Sequence, residues 1–140
     1  MNNDSISMSM SDILGCTKKQ IASYYGMPVI EYPSLAVFKS NGGYIAISFV
    51  FGKSTAYALY NNFGEIQIAS VNVLNLPFAE LQKWENRSYS EFVHEYGQPH
   101  FEVGSGMTVL GYFGINGSIY TIQTIKNTIS HIAEIKISNK

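Results

Sequence analysis

A tetrapeptide that occurs twice constrains this chain more than any other feature. Tyr25-Gly26-Met27-Pro28 returns 71 positions later as Tyr96-Gly97-Gln98-Pro99. Eight residues before each tyrosine stands a Ser/Thr-x-x-Glu/Gln motif, Thr17-Lys18-Lys19-Gln20 and Ser88-Tyr89-Ser90-Glu91. That pattern is a capping box, in which the Ser/Thr oxygen accepts a free N–H of the first helical turn and the Glu/Gln side chain reaches back. Glycine then supplies a positive φ at the helix end, and the proline two positions on stops continuation. Ile21 with Tyr24 and Tyr25, and Phe92 with Val93 and Tyr96, give each segment one apolar stripe at helical spacing. The spacing therefore predicts two equivalent short helices.

The recurrence resumes downstream with a four-residue insertion. Val37 to Gly42 aligns with Tyr112 to Gly117, and both segments end in Asn-Gly, a strong hairpin signal between β-rich runs. Ile45, Ile47, Phe49 and Phe51 alternate with polar or smaller residues, as do Tyr120 and Ile122. Gly52-Lys53-Ser54 and Lys126-Asn127-Thr128 read as the next turns, each leading to a third strand, Thr55 to Asn61 and Ile129 to Ser138. Pro77 to Asn86 reads as a further short helix between the halves. The expected fold is α+β, a single domain over residues 1–140 with internal repeats at approximately 12–74 and 77–138. Two tandem helix–β-meander repeats would form one antiparallel sheet of roughly six to eight strands, with helices on one face and the other face open.

The tandem pattern resembles the β-lactamase-inhibitor-protein-like superfamily, and also the outer-membrane assembly lipoproteins of the SmpA/OmlA group, which carry one such unit. The resemblance rests on Thr17…Gln20…Tyr25-Gly26-x-Pro28, on Ser88…Glu91…Tyr96-Gly97-x-Pro99 and on the two Asn-Gly hairpins. It implies a non-enzymatic binder that uses the open face of its sheet.

Composition narrows the function further. Nine Lys+Arg against ten Asp+Glu give a net charge of −1, which provides no basic field for nucleic acid. The richest apolar run, Tyr44 to Phe51, falls far short of the ~20 residues a membrane helix needs. Met1 to Met8 has neither a basic nor an apolar leader region, so the expected location is cytoplasmic. Cys16, the one cysteine, has no disulfide partner and reads as a packing residue. Arg87 is the only arginine, a usage that fits an AT-rich bacterial accessory gene.

Candidate chemistry is sparse. His94 and His100 stand near Glu91, Glu95 and Glu102, but without the spacing of a metal-ligand motif. Glu31 and Glu102 occupy equivalent positions, so acid–base work competes with a shared structural job such as accepting backbone N–H groups. Gly104-Ser105-Gly106 precedes a strand, not a helix, and reads as a tight bend. No cofactor or metal is expected.

Ten Tyr and eight Phe remain. Strand alternation sends Ile45, Ile47, Phe49, Phe51, Tyr120 and Ile122 toward the helices. Tyr44, Ser48, Tyr57, Leu59, Tyr112, Ile119, Thr121 and Gln123 are thereby assigned to the open face as candidate partner-binding residues. The expected function is a protein-binding module, in concrete form a bacterial cytoplasmic inhibitor or immunity protein that blocks a toxin or enzyme sterically. The expected partner is another protein, with neither nucleic acid nor membrane involved and the oligomeric state open. A small-molecule or peptide-binding domain is the alternative, followed by an enzyme with a Glu/His centre at Glu91, His94 and His100.

Overall fold

A computed structural model describes residues 10–104 and 108–137. A one-turn helix α1 (Met10–Ile13) precedes α2 (Lys18–Tyr25). Five strands follow, β1 (Ile30–Tyr32), β2 (Leu35–Ser40), β3 (Gly43–Val50), β4 (Lys53–Asn61) and β5 (Ile66–Ala69). Then come α3 (Phe78–Gln82), α4 (Tyr89–Tyr96) and four strands, β6 (Phe101–Gly104), β7 (Thr108–Phe113), β8 (Ser118–Ile125) and β9 (Thr128–Lys136). The segment Ser105-Gly106-Met107 and the residues beyond 137 lie outside the described residues, as does the N-terminal stretch from which location was read. Among the described residues, no helix is long and apolar enough to cross a membrane.

Both capped helices are present. Thr17 Oγ1 accepts from Gln20 N–H at 3.1 Å, and Gln20 Oε1 accepts from Thr17 N–H at 2.8 Å, which completes the box. Ser88 Oγ accepts from Glu91 N–H at 3.3 Å, while Asn127 Oδ1 takes the Ser90 N–H. Gly26 (φ 94°, ψ −171°) and Gly97 (φ 100°, ψ 175°) end the helices in a region of backbone space that is essentially reserved for glycine.

The recurrence extends to single hydrogen bonds. Gly15 N–H donates to Ser54 O and Ser54 N–H to Cys16 O; in the second half Asn86 N–H donates to Ile129 O and Ile129 N–H to Arg87 O. The bridges Thr17↔Lys53 and Ser88↔Thr128 correspond in the same way. Positive φ recurs at Gly15 and Asn86, at Gly26 and Gly97, at Gly42 and Gly117, at Phe51 and Lys126, and at Gly52 and Asn127.

The strands form two antiparallel sheets, ordered β1-β2-β3-β4-β5 and β6-β7-β8-β9, not the expected single sheet. The reason lies in the rows that face away from the helices. In the first sheet Leu35, Val37, Ala46, Ala56 and Ala58 form such a row, and in the second Phe101, Phe113 and Ile119 do so. These residues share one core cluster. The expected open face is therefore closed, because each sheet covers the apolar row of the other. Burial of apolar area at ~25 cal/mol per Å2 favours this over two solvated faces. The helices consequently flank both sides of the stack. Ile13 and Ile21 pack with Phe38, Ile45, Ile47 and Phe49 on one side. Leu81, Trp84 and Phe92 pack with Leu110, Tyr112, Tyr120 and Ile122 on the other. Tyr60 Oη ties the halves together by donating to Gly114 O at 2.5 Å.

Several assigned faces change. Tyr112 pairs with Tyr120 across β7 and β8, and so points to the helices, 1% exposed. The β2–β3 loop is Asn41-Gly42 alone, whereas Gly114 to Gly117 separate β7 from β8. Alignment on Asn-Gly is thus off by one residue in the strand before it, and a one-residue slip turns every side chain to the opposite face. Tyr57 and Leu59 pair with Ile47 and Ile45 and also face the helix side. Phe51 does not enter the core. It sits with Gly52 in the two-residue β3–β4 turn, both at positive φ as a type I′ turn requires, and is 100% exposed. That turn type is found here and at Lys126-Asn127, while at Asn41-Gly42 only the glycine has positive φ.

Candidate functional site

The junction of the two halves leaves a groove of about 700 Å3. One wall comes from the first half, with Pro33 and Ser34 in the β1–β2 turn and Phe49, Val50 and Phe51 at the β3–β4 hairpin. The other wall is Pro99, just past the Gly97 helix stop, with Phe101 and Glu102 of β6. A hydrogen bond from Phe49 N–H to Ser34 O (2.8 Å) holds the two turns of the first wall together. Ser34 is only 9% exposed, yet its hydroxyl has no hydrogen-bond partner among the described residues. A buried hydroxyl without a partner forfeits about 1–3 kcal/mol of solvation.

Charges are few and specifically placed. Lys18 Nζ pairs with Glu31 at 3.2 Å, donates to Tyr32 O at 3.0 Å and lies 5.4 Å from the centroid of the Phe49 ring. Glu31 is thus an ion-pair partner on an edge strand, not the loop acceptor of backbone N–H groups that symmetry suggests. Glu102 occupies the corresponding position on β6. The residue corresponding to Lys18 is Tyr89, whose hydroxyl meets Tyr112 Oη at 2.7 Å, so Glu102 makes no ion pair among the described residues.

A smaller cleft of about 270 Å3 adjoins this groove at Phe101. Tyr32 and Leu35 bound it from the first sheet, and Val103, Val109, Thr121, Ala133 and Ile135 from the inner face of the second. It marks where the two sheets diverge.

The eight sequence-assigned residues do not form one surface. Tyr57 and Tyr112 are buried on opposite helix-facing sides, and Leu59 is half-buried on the Tyr57 side. Ser48 is buried and shares a hydrogen bond with Thr55 at 2.9 Å. Ile119 is buried between the sheets, and Tyr44 packs partly against the same cluster. Thr121 and Gln123 are half-buried, and Thr121 lines the cleft. Tyr112 donates to Gly97 O at 2.9 Å, and burial raises its hydroxyl pKa strongly.

His94 and Glu91 are exposed on α4, while His100 is held elsewhere. His100 Nδ1 accepts from Phe113 N–H at 2.8 Å and its Nε2 donates to Asn72 O at 3.0 Å. Both ring nitrogens are therefore occupied by backbone, and burial lowers the imidazole pKa. Among the described residues no three His, Cys, Asp or Glu side chains gather as a metal site would need. Cys16 Sγ donates to Asp12 O at 3.1 Å and packs against the first helix-side cluster.

The groove residues Pro33, Ser34, Val50 and Phe51 escaped sequence reasoning because hydrophobic alternation places Phe51 inward. The Gly52-Lys53-Ser54 turn expected from the sequence is one residue late: Phe51-Gly52 forms the turn, and Lys53 already pairs with Val50. Comparison with protein-family models, with curated proteins and with solved structures found no match for this chain.

Proposed function

We propose that this chain is a non-enzymatic protein-binding module, built from two tandem helix-plus-meander units, whose contact surface is the groove at their junction. Phe51 carries this reading. A bulky residue at φ 51° is uncommon, and a fully exposed phenyl ring gains nothing from the core. The turn does not demand it, because the equivalent turn of the second half uses Lys126. An aromatic at the rim of an apolar groove is what interface anchors look like, and such anchors dominate binding energy. The concrete version is an inhibitor or immunity protein that occludes a toxin or enzyme, in a bacterial cytoplasm. The resemblance to the β-lactamase-inhibitor-protein-like superfamily supports the binder reading, although the closed inner faces move the surface from the sheet to the groove.

The test is isothermal titration of the chain against the product of the gene next to its own, with Phe51→Asn as the probe. Asparagine tolerates positive φ, so the turn should survive and the melting temperature stay within ~2 °C. Binding should weaken about 30-fold, the equivalent of ~2 kcal/mol. Unchanged affinity would refute the assignment of the surface.

A second reading, a small apolar ligand between the sheets, rests on the 270 Å3 cleft, whose mostly apolar lining includes Thr121 and Tyr32 as hydroxyl-bearing residues. Its size lies just under the range typical of ligand pockets, ~300–1,000 Å3.

A further inference from the structure

We infer that the groove takes a segment of the partner protein that presents a basic side chain, arginine or lysine, next to an apolar one. The inference rests on the groove reading above and adds the chemistry of the occupant. Phe49, Phe51 and Phe101 line the groove together with Glu102; the Phe51 ring is fully exposed there, whereas Phe49 and Phe101 are buried. Aromatic faces attract cations, more strongly when the site is partly desolvated. Phe49 already shows this within the chain, where the Lys18 ammonium stands 5.4 Å from its centroid.

The two halves supply a comparison for the charge. In the first, Glu31 is matched by Lys18. In the second, Tyr89 stands where that lysine would be, and Glu102 has no cationic partner among the described residues. With Lys18 and Glu31 offsetting each other, the groove carries one uncompensated negative charge. Lys53 follows the hairpin but is not part of the groove wall. An apolar–basic segment satisfies the exposed Phe51 ring and the Glu102 carboxylate together. An acidic segment would meet Glu102 with like charge, and a purely apolar one would leave the carboxylate without a partner.

The test uses three blocked dipeptides, Ac-Phe-Arg-NH2, Ac-Phe-norleucine-NH2 and Ac-Phe-Glu-NH2, titrated into the full chain at constant ionic strength and followed by amide chemical shifts. The arginine peptide should give saturable shifts at Ser34, Val50, Phe51 and Glu102, with the norleucine peptide at least fivefold weaker and the glutamate peptide weakest. Glu102→Gln should abolish the preference for arginine over norleucine while leaving the melting curve unchanged. Equal binding of the norleucine peptide, or a preference that survives Glu102→Gln, overturns the inference and leaves the groove as an apolar site. Absence of saturable shifts from all three peptides also overturns it, and the Phe51→Asn titration against a protein partner then decides the function separately.

Discussion

Replacing Gly97 by alanine tests whether the helix stops are set by backbone conformation alone. Gly97 lies at φ 100°, ψ 175°, where an L-residue is strained by about 1–3 kcal/mol. A Cβ built there meets no heavy atom within 4 Å, so neighbouring side chains add no clash. Alanine also reduces the freedom of the unfolded chain, which offsets roughly 0.4–1 kcal/mol. The net loss should be about 1–2 kcal/mol, or a drop in melting temperature of roughly 3–8 °C for a domain of this size. Gly26→Ala should cost the same, since its φ of 94° and open surroundings match. The two changes lie in different halves and should add. Denaturation in urea can be followed by the fluorescence of Trp84, which packs edge-on against Phe92 of α4 at 5.2 Å. A midpoint unchanged by either substitution would show that both helix ends relax into ordinary conformations, and would refute the argument.

Gly111 is required for a different reason, since a Cβ there would lie 2.1 Å from the Phe101 ring. Gly111→Ala should destabilise by about 1–3 kcal/mol, and Phe101→Leu in the same chain should recover part of that loss in a denaturation midpoint. Tyr60→Phe removes the hydrogen bond to Gly114 O and should cost about 1 kcal/mol by the same measurement. For His100, burial holds the folded pKa below its ordinary value of 6.5, so the unfolded chain binds more protons between the two values. Its contribution should be fully present above pH 6.5 and be lost as pH falls below it; His100→Gln should flatten a melting-temperature profile in that window.

The local signals in the sequence were strong where short-range chemistry decides. Thr17, Ser88, Gly26 and Gly97 mark both helices because capping and positive φ depend on single residues. The order β2-β3-β4 and β7-β8-β9 also follows from alternation and turns, whereas the edge strands β1 and β6 do not. What the sequence could not convey is the partner of an apolar row. Ile119 reads as open-face by alternation, yet it is fully buried, because a sheet from the other half lies against it. The groove was hidden for the same reason: it exists only where the β1–β2 turn, the β3–β4 turn and the start of β6 meet.

The recurrence within the chain also separates what the fold requires from what it does not. Where the halves agree, in caps, helix stops and turn conformations, the residues perform the same backbone work twice. Where they differ, most changes are accounted for locally. Tyr89 replaces Lys18 and gains a hydrogen bond to Tyr112. Asn127 replaces Gly52 and caps α4 through Ser90 N–H. His100 replaces Val29 and joins Asn72 to Phe113. Phe51 in place of a Lys126-like tip, Glu102 without the cation that Glu31 has, and Met27, exposed where the second half carries Gln98, have no such internal compensation. Of these, Phe51 and Glu102 line one groove and Met27 does not, which is why the proposed contact surface is centred on the first two.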